Sequence, residues 1–243
     1  MPNILLLGGT MEASAMARRL ADLGLPATLS YMGRVERPKP QPIPVRIGGF
    51  GGVPGLIRYL KDHQITRVID ATHPFAAQMS GNAVAACTAT GTPLIALTRP
   101  AWEPGPGDDW QRVPDMAAAV AALAGPPKRV MLAIGRMHLA DFAAQPQHHY
   151  LLRLVDEPSE TPPLPHHTVT VDRGPFSAEA DQTLMRDNKI ELIVAKNAGG
   201  KGSVSKLQAA RALHLPVLMI DRPQLPPRRE THDPDEVLRF VTA

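Results

Sequence analysis

The chain has 243 residues, of which 44% are hydrophobic, 20% charged and 4% aromatic, the make-up of a soluble globular protein with aliphatic cores. Its formal net charge is +3 and its sequence pI about 9.2, but the basic residues are dispersed, which disfavours nucleic acid and suits a polyanionic small molecule. The single cysteine, Cys87, excludes an internal disulfide, and no apolar run or basic leader suggests a membrane span or a signal peptide, so a cytoplasmic protein is expected.

Ile4-Leu5-Leu6-Leu7 reads as a strand buried on both faces. It stops at Gly8-Gly9, and Ala13, Met16, Ala17, Leu20 and Leu23 then fall at helical spacing. A strand, a Gly-rich turn and a helix in that order aim free backbone N–H groups at an anion. The turn carries Gly8, Thr10 and Ala13 where a dinucleotide fingerprint has three glycines, so a tight turn without a ligand stays open at this point.

Ala27–Tyr31 reads as the second strand and ends in Met32-Gly33-Arg34. Dinucleotide folds read the adenosine ribose here, with a carboxylate for NAD or an arginine for a 2′-phosphate. The chain offers no carboxylate before Glu36 and supplies Ser30 and Arg34, a 2′-phosphate clamp unless Arg34 is a solvated loop residue. After a Pro-rich loop, Val45–Ile47 is a short strand. Gly48-Gly49-Phe50-Gly51-Gly52 is then either a second cofactor-facing loop or a flexible turn before a helix over 53–63.

Arg67–Asp70 is the next strand and runs into Ala71-Thr72-His73-Pro74-Phe75-Ala76. A polar tip after an apolar strand marks the ligand-binding carboxyl edge of a parallel sheet. Thr72 caps the following helix or faces the ligand; His73 faces the ligand or bonds the loop. A helix over 75–90, a strand over 93–100, a Gly- and Pro-rich linker over 101–109, a strand at Trp110–Val113 and a helix over 116–123 capped by Asp115 follow.

From residue 129 the chain echoes itself. Residues 129–136 repeat the opening strand and turn, 150–155 and 169–171 are the second and third strands, and Arg173-Gly174-Pro175-Phe176-Ser177 opens a helix over 178–187. A strand over 192–197 ends in Ala198-Gly199-Gly200-Lys201-Gly202-Ser203, and the helix 203–213 carries Lys206. The strand ending Arg222-Pro223 repeats the one ending Arg99-Pro100. His232-Asp233-Pro234-Asp235 with its helix repeats Val113-Pro114-Asp115 with its own. Two copies of one α/β unit follow from this, and the paired Arg-Pro endings leave room for an exchange of terminal strands. The expected fold is two Rossmann-like three-layer α/β domains with mainly parallel sheets, 1–100 and 101–243, and a ligand cleft between them.

The first half carries the glycine turns, and the second puts Arg136, Arg173, Lys196, Lys201 and Lys206 at strand ends. Such a row opposite a dinucleotide predicts a multiply anionic substrate, against the alternative of one solvated cation per strand end. His148-His149 and His166-His167 lack the spacing of a metal site, so no metal is expected. No Gly-x-Ser-x-Gly elbow, Walker lysine or Tyr-x-x-x-Lys pair is present.

Seven segments then line up in order: Gly8-Gly9-Thr10-x-Glu12-Ala13, Tyr31-x-Gly33-Arg34, Gly48-Gly49-Phe50-Gly51, Asp70-Ala71-Thr72-His73-Pro74-Phe75-Ala76, Arg99-Pro100-x-Trp102, Arg173-Gly174-Pro175-Phe176 and Lys196-Asn197-x-Gly199-Gly200. Together they resemble the precorrin-6A reductase family of cobalamin biosynthesis over nearly the whole chain. The resemblance implies NADPH-dependent reduction of one ring carbon–carbon double bond of precorrin-6A, giving precorrin-6B. It implies a cofactor site of Gly8, Gly9, Thr10, Glu12, Ser30, Gly33, Arg34, Gly49, Phe50, Thr72 and His73. It also implies a tetrapyrrole site of Arg136, Arg173, Ser177, Lys196, Asn197, Lys201, Ser203 and Lys206. Lys196 is the candidate proton donor or charge stabiliser, with plain carboxylate binding, or water as the acid, left open. An NADPH reductase of another polyanion and a non-catalytic tetrapyrrole carrier or sensor are the rival readings. The oligomeric state is not set, and a monomer is compatible with the sequence.

Overall fold

Continuous apolar runs of four or five residues are stable as strands only when covered on both faces, and the chain supplies them repeatedly. The computed structural model describes residues 2–32, 40–158, 160–172, 174 and 176–243. In chain order the elements begin β1 (Ile4–Leu7), α1 (Met11–Asp22), β2 (Ala27–Tyr31), β3 (Val45–Ile47), α2 (Gly52–Asp62), β4 (Arg67–Asp70), α3 (Ala77–Thr90) and β5 (Leu94–Leu97). Next come β6 (Trp110–Val113), α4 (Met116–Ala121), β7 (Arg129–Ala133), β8 (His149–Leu154), β9 (His167–Val171) and α5 (Ala178–Asp187). The chain closes with β10 (Leu192–Lys196), α6 (Ser205–Ala212), β11 (Val217–Ile220), β12 (Glu230–Thr231) and α7 (Pro234–Thr242). Two short 3₁₀ turns, Arg136–His138 and Ala140–Ala144, stand after β7 where α1 stands after β1.

The strands form two six-stranded sheets, ordered β12-β5-β4-β1-β2-β3 and β6-β11-β10-β7-β8-β9, and their described pairings are parallel. The two orders are the same permutation, with one exchange. The strand that follows β5 in the chain joins the second sheet beside β11, and the strand that follows β11 joins the first sheet beside β5. The compact units are accordingly 1–100 with 224–243, and 101–223. This corrects the expected second domain of 101–243. The last twenty residues return because β12 completes the edge at β5 (Glu230 opposite Ala96, Thr231 opposite Leu97) and α7 buries Val237 and Val241 with Ile95 and Leu97.

In the first unit the period-two alternation of β1 divides its four leucine-like side chains between two cores. Ile4 and Leu6 pack with Ala13, Met16, Ala17 and Leu20 of α1, while Leu5 and Leu7 pack with Leu56 and Leu60 of α2 and Ala83, Ala86 and Cys87 of α3. The second unit repeats the scheme. Met131, Ile193, Ala195, Val217 and Met219 of its strands meet Met185 of α5 and Leu207, Ala209 and Ala210 of α6. Parallel packing of this kind leaves the loops at the strands' carboxyl ends to carry function.

Candidate functional site

In the first unit the carboxyl end of β1 is held by its neighbours. The Gly8 N–H donates to Ser30 O (3.0 Å), and a Cβ at Gly8 would lie 2.4 Å from Leu29 Cδ1, so a side chain there would have to push the Leu29 side chain aside. Gly9 has φ +122° and open space where a side chain would project. Thr10 caps α1: its Oγ1 accepts from Ala13 N–H (3.1 Å) and donates to Ala71 O (2.8 Å), which ties the turn to the loop after β4. Glu12 would oppose an anion at this helix start, but its carboxylate is paired with Arg99 (2.9 Å). The open glycine, the helix N-terminus and the neutralised Glu12 fit a diphosphate.

Beside it, Ser30 at the end of β2 lies opposite Arg46 of β3. Arg46 Nη1 donates to Ser30 Oγ (3.0 Å) and Gly48 O (2.7 Å), and Nη2 to Gly49 O (3.1 Å). The guanidinium lies 3.9 Å from the Phe50 ring centroid, and Phe50 packs edge-on against Tyr59 at 5.1 Å. Ser30, Gly49 and Phe50 are thus brought together around an arginine that the sequence reading passed over as part of a short strand. The signal was present: Arg46 is the polar residue between two apolar ones in β3 and pairs with the last polar residue of β2. Gly33 and Arg34 lie outside the described residues.

Asp70 ends β4 almost fully buried and organises the next loop. Its Oδ1 accepts from the Thr72 N–H (3.1 Å) and hydroxyl (2.7 Å), its Oδ2 accepts from Ser80 Oγ (2.6 Å), and Arg228 pairs with Oδ2. Thr72 therefore does not cap α3, whose N-cap is Ala76 with no side-chain bond. His73 Nδ1 accepts from Phe75 N–H (3.2 Å), which orients the ring on this loop. Arg228 was not visible as a site residue because it lies 158 positions from Asp70 in the chain. The neighbouring Cys87 thiol is pushed up to about 12, mainly by burial and further by the Asp70 charge, so it is no nucleophile.

In the second unit the expected cations separate into two kinds. Arg136 and Lys201 are exposed, as is Ser203, and Lys196 is half-buried at the end of β10. Lys206 is buried instead: its Nζ donates to Ser203 O (2.6 Å) and lies 4.8 Å from the Trp102 ring centroid. Asn197 is buried too, and its side chain is spent on Trp102, accepting from the Trp102 N–H (2.8 Å) and donating to the Trp102 carbonyl (2.9 Å). Trp102 Nε1 donates to Gly200 O (2.9 Å), and Arg222 Nε to Asn197 O (3.0 Å), so these two residues fix the 197–200 loop. Lys206 and Asn197 hence support that loop, which stands where the substrate site is expected. Ser177 caps α5, accepting from Ala180 N–H (3.1 Å), and Arg173 lies outside the described residues. Among the described residues no group of three His, Cys, Asp or Glu could hold a metal, and no helix is long and apolar enough to cross a membrane.

A family model described as "Precorrin-6x reductase CbiJ/CobK" matches residues 3–242. A protein of Rhodobacter capsulatus named precorrin-6A reductase is 58% identical over 228 residues, covering 94% of this chain and 91% of the relative. A Priestia megaterium protein named cobalt-precorrin-6A reductase is 28% identical over 235 residues, covering 91% of each. A solved structure titled "CobK precorrin-6A reductase" superposes with a TM-score of 0.95 at 55% identity, over 100% of this chain and 96% of that one.

Proposed function

The chain belongs to the precorrin-6x reductase CbiJ/CobK family, and from that premise we propose that it reduces precorrin-6A to precorrin-6B with NADPH, as a cytoplasmic enzyme. The observation that carries the cofactor half is the carboxyl edge of the first sheet. There a helix start with a neutralised Glu12 adjoins an open Gly9 and a stacked Arg46. Gly8, Gly9 and Thr10 would hold the diphosphate, Ser30 and Arg34 the 2′-phosphate end, and Thr72 and His73 the nicotinamide half. When bound, NADPH supplies the hydride.

The chain's own residues align the two reactants and exclude water. The substrate's acetate and propionate groups suit arginine and lysine, and Arg136, Arg173, Lys196 and Lys201 are the candidates to pair with them. Addition of hydride to one carbon sends the π pair to its neighbour, which must then take a proton. Lys196 would deliver that proton or steady the charge on the adjacent ring nitrogen. Metal-free precorrin-6A is favoured over its cobalt form because relatives named for the metal-free substrate are 40–58% identical, whereas those named for the cobalt form are 27–28% identical.

The test is to incubate the chain with NADPH and precorrin-6A, follow nicotinamide absorbance, and weigh the product. Stoichiometric oxidation with gain of one hydride and one proton is expected. Tetrapyrrole binding without oxidation would leave a carrier or sensor, and oxidation only with another polyanion would leave a different reductase.

A further inference from the structure

We propose that Arg46, on the strand next to the one where dinucleotide folds place their ribose-reading residue, reads the 2′-phosphate of the cofactor and sets the preference for the phosphorylated dinucleotide. The proposal rests on the NADPH reading above. Its basis is how completely the guanidinium is held before any ligand arrives. Two N–H groups of Nη1 and one of Nη2 are committed to Ser30 Oγ, Gly48 O and Gly49 O, and the Phe50 ring supports one face. Five donors less these three leave Nε–H and one Nη2–H.

All three acceptors are neutral, and among the described residues no carboxylate pairs with Arg46, so its charge is left to meet an incoming anion. The side chain is half-buried, which lowers screening without closing it from solvent. Its anchor Ser30 is itself buried at the end of β2. A preorganised planar guanidinium loses little freedom on meeting phosphate and can offer two parallel N–H bonds, which a flexible loop residue does less well. Gly48 and Gly49 fit the same role, because their carbonyls aim the guanidinium.

The experiment is calorimetric titration of the whole chain with adenosine 2′,5′-bisphosphate and with adenosine 5′-monophosphate, which needs no turnover. The wild type is expected to bind the bisphosphate more tightly, and Arg46→Gln is expected to cut that preference by about tenfold to a hundredfold. Arg46→Lys keeps a charge without the fork and should fall between. It also reads the same ratio if Arg46→Gln does not fold. Should both nucleotides weaken in parallel in Arg46→Gln, with the ratio intact, Arg46 only staples its loop and the proposal is overturned. The same holds if Arg34→Ala abolishes the preference while Arg46→Gln keeps it. A wild type with no preference would instead sink the NADPH reading itself, so the two failures are told apart.

Discussion

Replacing Arg228 by Met tests how the returning C-terminal segment is tied to the first unit. Arg228 and Asp70 have side-chain exposures of 8% and 1%, so the pair is buried, and removing the cation leaves an uncompensated carboxylate at the end of β4. Breaking such a pair costs about 3–5 kcal/mol. Three hydrogen bonds to Asp70 survive, two from Thr72 and one from Ser80, which puts the expected loss near the lower end, about 3 kcal/mol. Asp70→Asn in the same chain removes the stranded charge, and its amide can still accept from Thr72, so the double variant should recover about half of the loss.

Urea unfolding followed by far-UV circular dichroism measures this over the whole chain. Tryptophan fluorescence reports the second unit alone, because Trp102 and Trp110 both lie in 101–223. The dichroism transition should move to lower urea, and the fluorescence transition should move less. A loss under about 1 kcal/mol, or a double variant no better than the sum of the singles, would refute the claim that a buried charge pair fastens this segment.

Gly55→Ala should destabilise the first unit by at least about 3 kcal/mol and weaken nucleotide binding, since a Cβ there would lie 1.6 Å from the Phe50 carbonyl oxygen and force the 48–52 loop off α2. Thermal melts with and without adenosine 2′,5′-bisphosphate check both parts. Cys87, with its thiol pushed up to about 12, should react with an aromatic disulfide reagent at pH 8 roughly a thousandfold more slowly in the folded chain than in urea. A comparable rate in both would show that it is not buried. The Asp108 carboxyl is held below the ordinary carboxylate range, chiefly by its hydrogen bond from Arg211. Its folded form therefore contributes stability above about pH 4 that is lost as the pH falls through the depressed value. Asp108→Asn should cost about 1 kcal/mol at neutral pH, kept small by the exposure of Arg211, and its deficit should vanish in acid unfolding curves.

Much of the architecture was written in local pattern. The leucine-rich run of β1, its glycine stop and the helical spacing after it each depend on a few neighbouring residues, and the duplication showed because both copies keep the same local order. Ser30, Gly49 and Phe50 were singled out on the same local grounds, since they lie at or just past the ends of β2 and β3.

Which sheet each terminal strand joins was decided only in three dimensions. β6 and β12 are short strands, each with an aspartate-capped helix behind it, and either could pair in parallel with β5 or β11. The burial of Val237 and Val241 under the first sheet and the Arg228–Asp70 pair select one arrangement, and none of these contacts is local. The same holds for the cations. Lys206, five residues past the loop lysine Lys201, was expected to meet an anionic substrate, yet Trp102, brought in from the linker, lies against it and occupies Asn197. Hydrogen-bond partners and burial depend on what the folded chain sets beside a residue, and local sequence does not encode that.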